Sequence, residues 1–156
     1  MKKSHFILMK HSGFNADRVI VTGYESARLL LKNKLWPLWE NTRCKHMVEV
    51  DHKLLIYIAG NEEHSKCIIA SAEVSAVELW SDKTHKKKYP LLLDGIPGKV
   101  LILKNIEILK EPIDIRKKLD TLSFIPENKK KWGVAMMGGM RPLLENDYFK
   151  LSGIDA

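Results

Sequence analysis

A chain of 156 residues falls within the common size range of one folded domain, and a composition with 45% hydrophobic and 29% charged residues excludes a disordered or fibrous polymer. No apolar run reaches the ~18–20 residues of a membrane-spanning helix. The net charge of +7 excludes an acidic protein and favours anionic partners.

Met1-Lys2-Lys3 ahead of Phe6-Ile7-Leu8-Met9 begins like a secretory leader. The apolar stretch stops at Lys10, however, short of the ~7–15 residues a leader core requires. Residues 5–10 therefore predict a first strand, in a cytoplasmic protein. A loop with Gly13 follows, and Arg18 to Thr22 is a short strand or a turn. Ala27, Leu30, Leu31 and Leu35 recur at helical spacing and predict a helix over 24–34. Pro37 and the polar stretch to His46 predict a loop.

Leu54-Leu55-Ile56-Tyr57-Ile58-Ala59 is a continuous apolar run ending at Gly60-Asn61, the pattern of a central strand covered on both faces. A turn at 61–66 leads into a long strand over 67–80. Its even positions from Ile68 to Ala76 form one apolar face, and a shift at Val77 and Leu79 predicts a bulge or a bend. Gly95, Pro97 and Gly98 predict a turn. Val100, Ile102, Ile106 and Ile108 then supply the face of a further strand, interrupted by Lys104 and ended by Pro112. Residues 113–119 predict a short helix, 132–137 a strand broken by Gly138-Gly139, and 143–151 a closing helix. No linker or repeat divides the chain, so residues 1–156 read as one domain. Strands grouped between helices, rather than alternating with them, predict an α+β fold: a curved, partly closed β-barrel flanked by short helices.

Lysine comes in clusters, among them Lys86-Lys87-Lys88, Arg116-Lys117-Lys118 and Lys129-Lys130-Lys131. Such clusters attract phosphate through counterion release, although charge runs also serve as a solvated coat. Cys44 and Cys67 make no disulfide framework. Together with His46 and His64 they could supply a tetrahedral zinc, but the spacings are not those of a standard site. No GxSxG, HExxH or Gly-rich phosphate loop is present, and Glu62-Glu63 sits in a predicted turn. The residues thus point to a binding module with no cofactor. A small nucleotide-processing enzyme and a protein-interaction domain with an incidental basic surface are the alternatives.

Three stretches taken together resemble the EVE domains of the PUA-like superfamily. They are Leu35-Trp36-Pro37-Leu38-Trp39 with Asn41, then Asp51 to Ile58 with Ile68 to Val74, and finally Leu122 to Ile125, Lys131-Trp132-Gly133, Met140-Arg141 and Asp147-Tyr148. Their order and spacing hold across nearly the whole chain. Val50-Asp51-His52 departs from the usual Gly-Asp before the central strand, and Trp39 is additional. EVE domains are similar to the YTH readers of N6-methyladenine in RNA. The resemblance implies a PUA-like barrel that takes a nucleobase, often modified, into an aromatic-lined pocket.

Within that expectation, Trp36 and Trp39 flank Pro37 and could stack on a base, or plug the barrel end. Asn41 offers a donor and an acceptor for a base edge, or for a turn. The resemblance places Lys10, His11 and Ser12 where YTH readers make polar contacts. Trp132 and Trp80 are both candidates for a second cage tryptophan. The expected pocket is Ser12, Trp36, Trp39, Asn41 and Trp132. The expected phosphate contacts are Lys10, Lys86, Lys87, Lys88, Lys129, Lys130 and Lys131, and the expected partner is RNA or DNA carrying a methylated base.

Overall fold

The computed structural model describes residues 4–15, 17–88 and 96–152. Six strands form one curled sheet, a half-barrel in the order β4-β7-β6-β5-β1-β8. They are β1 (His5–Lys10), β4 (Leu35–Leu38), β5 (Lys53–Ile58), β6 (Cys67–Leu79), β7 (Lys99–Asp114) and β8 (Met140–Leu143). β1 runs parallel to β5, and the other pairings are antiparallel. A two-stranded ribbon, β2 (Gly13–Phe14) with β3 (Ile20–Val21), stands beside the sheet. The helices are α1 (Gly23–Lys32), α2 (Asp82–His85) and α3 (Glu145–Ser152).

Alternation in β1 and β5 divides the core in two. Phe6, Leu8, Leu54, Ile56 and Ile58 point to one side, where α1, β4 and the first part of β7 cover them. Ile7, Met9, Leu55 and Tyr57 point to the other, against Leu122, Met136, Leu143, Tyr148 and Leu151. Both faces of β5 are therefore dry, which explains its unbroken apolar run. Burial pushes the Tyr57 hydroxyl up to about 12.

α1 starts at Thr22, whose hydroxyl accepts the Glu25 N–H at 3.1 Å, and it ends at Asn33 before Lys34 turns left-handed at φ 59°. Gly23, Ser26, Ala27, Leu30 and Leu31 face the sheet. At Gly23 a Cβ would meet the Lys10 carbonyl oxygen at 2.9 Å, so the helix start sits directly on the end of β1.

Several expectations are corrected. Leu35–Leu38 is a strand rather than a loop; Pro37 is tolerated because β4 is at the sheet edge. β7 continues through Pro112, because its register against β6 skips from Ile108 to Ile113 and the proline has no ladder bond to lose. The irregularities of β6 lie between Ile68 and Ala76 rather than at Val77. They place Ile69 and Ala70 in the same core and Ile68 in the other. On β7, Val100, Leu101 and Leu103 are buried while Ile108 is exposed. Asn105 adopts φ 51° there, and the register shift opposite it resets the alternation.

The expected helix over 113–119 is reduced to a 3-10 turn, Ile115–Lys117, because β7 extends to Asp114. The expected strand over 132–137 is part of a 3-10 helix, Lys129–Met136, whose start is capped by the Asn128 side chain accepting the Lys130 N–H at 3.2 Å. β8, which the sequence pattern does not predict, begins directly after Gly139. Of the expected Gly95–Gly98 turn, Gly95 lies outside the described residues.

Candidate functional site

At one end of the half-barrel the sheet leaves a cavity of about 590 Å³ between segments far apart in sequence. Its walls are residues 9–13 at the exit of β1, Leu30 of α1, residues 36–42, Ile96 and residues 138–139. A cavity of this size accommodates a nucleobase-sized ring with room for its sugar.

Trp36, Pro37 and Leu38 form an apolar floor continuous with the core. Trp36 is only 3% exposed, so it presents part of its surface to the cavity while packing inward. Trp39 is half-buried, and the Lys10 ammonium stands 5.8 Å from its ring centroid. The next residues form a tight turn. Thr42 N–H donates to the Trp39 carbonyl and Trp39 N–H to the Thr42 hydroxyl, each at 3.0 Å. This closure leaves Asn41 exposed at the mouth beside Glu40. Lys10, His11 and Ser12 supply the opposite polar wall.

The third wall is the Gly138–Gly139 turn. Both residues take positive φ, 93° and 81°, a conformation that glycine adopts without strain. The Gly139 carbonyl accepts the Met9 N–H and the Gly138 carbonyl the Arg43 N–H, both at 2.9 Å. Two backbone bonds thus fasten this wall to β1 and to the turn after Trp39. In the sequence these glycines read only as a strand breaker, and no motif marks Thr42 or Arg43.

Of the expected pocket residues, Ser12, Trp36, Trp39 and Asn41 line this one cavity, together with Lys10. Trp132 does not. The 3-10 helix directs it to the second core, against which it packs partly buried. Trp80 is also elsewhere, its indole N–H donating to Asp82 at 2.7 Å and its ring 5.3 Å from that of His85.

Lys86, Lys87 and Lys88 are exposed on a 3-10 turn tied to the end of α1, where Asn33 donates to the Lys88 carbonyl at 2.8 Å. Lys130 and Lys131 are exposed, and the Lys129 side chain lies outside the described residues. None of the lysines in these clusters whose side chains are described lines the cavity. Among the described residues, no three His, Cys, Asp or Glu side chains gather to hold a metal ion. No helix among them is long and apolar enough to cross a membrane.

Behind the Gly138 wall, burial lowers the proton affinity of the Arg141 guanidinium; Cys44 and Asp147 oppose this and Arg43 adds repulsion. Arg141 lies 4.3 Å from the Phe124 centroid and donates to the Ala135 carbonyl at 3.1 Å. Asp147, buried at the start of α3, accepts the Ser123 N–H at 3.0 Å and its hydroxyl.

No family model matches the chain, and no curated protein matches it in sequence. Solved structures do match along almost its full length. An ASCH protein from Zymomonas mobilis superposes with a TM-score of 0.59 at 12% identity, covering 95% of this chain and 93% of that one. Human THYN1, in complex with 5-methylcytosine-containing DNA, gives 0.57 at 14% identity, with 95% of each chain covered. The N-terminal domain of Staphylothermus marinus McrB gives 0.51 at 10% identity, over 97% of this chain and 94% of that one. At such identities the likeness speaks for the fold alone: the chain shares the curled half-barrel fold of these proteins, as the PUA-like barrel expected from its sequence requires.

Proposed function

We propose that this protein is a nucleic-acid-binding module, without catalytic activity of its own, that takes one unpaired or flipped nucleobase of RNA or DNA into the cavity between Lys10, Trp39 and Gly139. Residues 1–156 act as one such unit. The observation that carries the reading is convergence: Ser12, Trp36, Trp39 and Asn41, from two segments, line one cavity with an aromatic side and a polar rim. That combination suits a planar, apolar-faced guest with hydrogen-bonding edges. A fold shared with a protein that binds 5-methylcytosine-containing DNA supports a small base modification as the feature recognised.

Trp39 supplies the stacking surface, being half-open, whereas Trp36 is the floor. Asn41 and Ser12 address the base edge, and Lys10 lies within reach of both ring and phosphate. Lys86, Lys87, Lys88, Lys130 and Lys131 attract the polymer without reading it.

Trp39→Ala tests the stacking role. Removing one stacking surface costs about 1–3 kcal/mol, which is about 5- to 150-fold in affinity. Affinity for single-stranded DNA with one 5-methylcytosine, or RNA with one N6-methyladenine, is expected to fall by that factor, and preference over the unmodified strand to vanish. Unchanged affinity and preference, with a lowered melting temperature only, would show that Trp39 is packing rather than a binding surface.

A further inference from the structure

The described lysine clusters lie outside the cavity lining, but Lys10 is part of it, and a second cation, Arg43, adjoins its rim. Arg43 directly follows the cavity-lining Thr42, and its side chain lies across Gly138. A Cβ on that glycine would stand 2.7 Å from both Cγ and Nε of Arg43. The Arg43 N–H is also bonded to the Gly138 carbonyl, so backbone and side chain are both held against the same residue. A long cationic side chain normally loses rotamer freedom when it binds an anion. Here the stem is already confined by packing.

The charge is uncompensated. Arg43 is exposed, and no carboxylate pairs with it among the described residues. Its exposed guanidinium N–H groups, with no carboxylate partner, favour an anion. Beside them the N–H groups of Gly138 and Gly139 reach no protein acceptor among the described residues, and both glycines line the cavity. A planar guanidinium fork is suited to two oxygens of one anionic group.

We infer that Arg43, seated on the Gly138 turn, holds the backbone phosphate next to the nucleotide whose base enters the cavity. This rests on the proposal that a base occupies that cavity. It adds the contact that fixes which nucleotide of a strand is presented. Gly138 is part of the device, since any larger residue would lift Arg43 away.

The test uses the full chain and fluorescence anisotropy with single-stranded DNA carrying one 5-methylcytosine and RNA carrying one N6-methyladenine, titrated across salt concentrations. Arg43→Gln is expected to weaken binding of the preferred strand roughly 3- to 10-fold at low salt. The slope of log K against log salt should flatten by about 0.7, the share of one single-strand phosphate. Replacing the phosphate beside the modified base by a neutral methylphosphonate should cost the parent protein a similar factor and cost Arg43→Gln nothing. Gly138→Ala keeps the charge but displaces the side chain, and should reproduce the methylphosphonate insensitivity.

An Arg43→Gln protein with the parent salt slope and the parent methylphosphonate penalty overturns the inference. If modified-base preference survives in that variant while the slope is unchanged, the phosphate contact alone is wrong. If the parent binds neither strand, the base-binding reading fails and takes this contact with it. Because Arg43 is exposed, its neutral variant is expected to melt at the parent temperature, which separates a missing charge from a damaged fold.

Discussion

His5 shows how burial turns a single side chain into a pH-dependent element of stability. It is 9% exposed at the start of β1, its ring centroid 4.7 Å from that of Tyr148 and its Nδ1 3.0 Å from the Ser4 hydroxyl. Burial holds its proton affinity below the ordinary imidazole value of 6.5; Lys53 and His52 act in the same direction and Glu145 opposes them. The unfolded chain therefore binds the proton better than the folded one. Its stabilising contribution is complete above pH 6.5 and is lost as pH falls from there toward the folded value. Melting temperature should drop on acidification below about 6.5, the free imidazole value, and the drop should be shallower in His5→Gln. Identical profiles for the two proteins would show that this residue does not set the acid limb.

At the level of elements, β5 is the part of the sheet least able to lose volume. Leu55 and Ile56 are both fully buried, on opposite faces and in different cores. Leu55→Ala and Ile56→Ala should each destabilise by about 2–5 kcal/mol in denaturant unfolding. A large loss from only one of them would mean that one face of β5 is not tightly packed. The same double coverage makes β5 legible in the sequence, since a short unbroken apolar run between turn residues is what a strand dry on both faces requires. α1 is legible because its buried positions follow helical spacing and its ends are marked by Thr22 and Asn33.

Elements whose form depends on distant neighbours are not legible. Pro37 argues against a strand unless β4 is known to be an edge, and Pro112 unless β7 is known to bulge. Trp132, Val134 and Met136 alternate as a strand would. Among the described side chains of the 3-10 helix only Met136 is buried, and Val134 is 59% exposed. The candidate site divides in the same way. Residues 10–12 and 36–41 carry recognisable motifs. The Gly138–Gly139 wall and Arg43 depend on hydrogen bonds between residues far apart in the chain, which no local pattern encodes.

For the molecule as a whole, the described lysine clusters and the cavity are separate features. The exposed Lys86-Lys87-Lys88 turn lies on another part of the surface from the cavity lining and contributes three positive charges. Changing all three to glutamine should weaken retention of any single-stranded polymer and flatten its salt dependence by roughly 0.7 for each phosphate no longer neutralised. The ratio of affinities for modified and unmodified strands should stay constant. A change in that ratio would mean that the triplet takes part in reading the base.

The Met9–Gly139 hydrogen bond closes the cavity between the first strand and a turn that lies late in the sequence. Synthesis on the ribosome runs from the first of these to the second, so the floor, the indole and the polar rim are all made before their final wall. A nascent chain that has not yet received Gly139 has an open trough where the finished protein has a pocket. Closure of the cavity therefore comes late, once the polypeptide as far as Gly139 has left the exit tunnel.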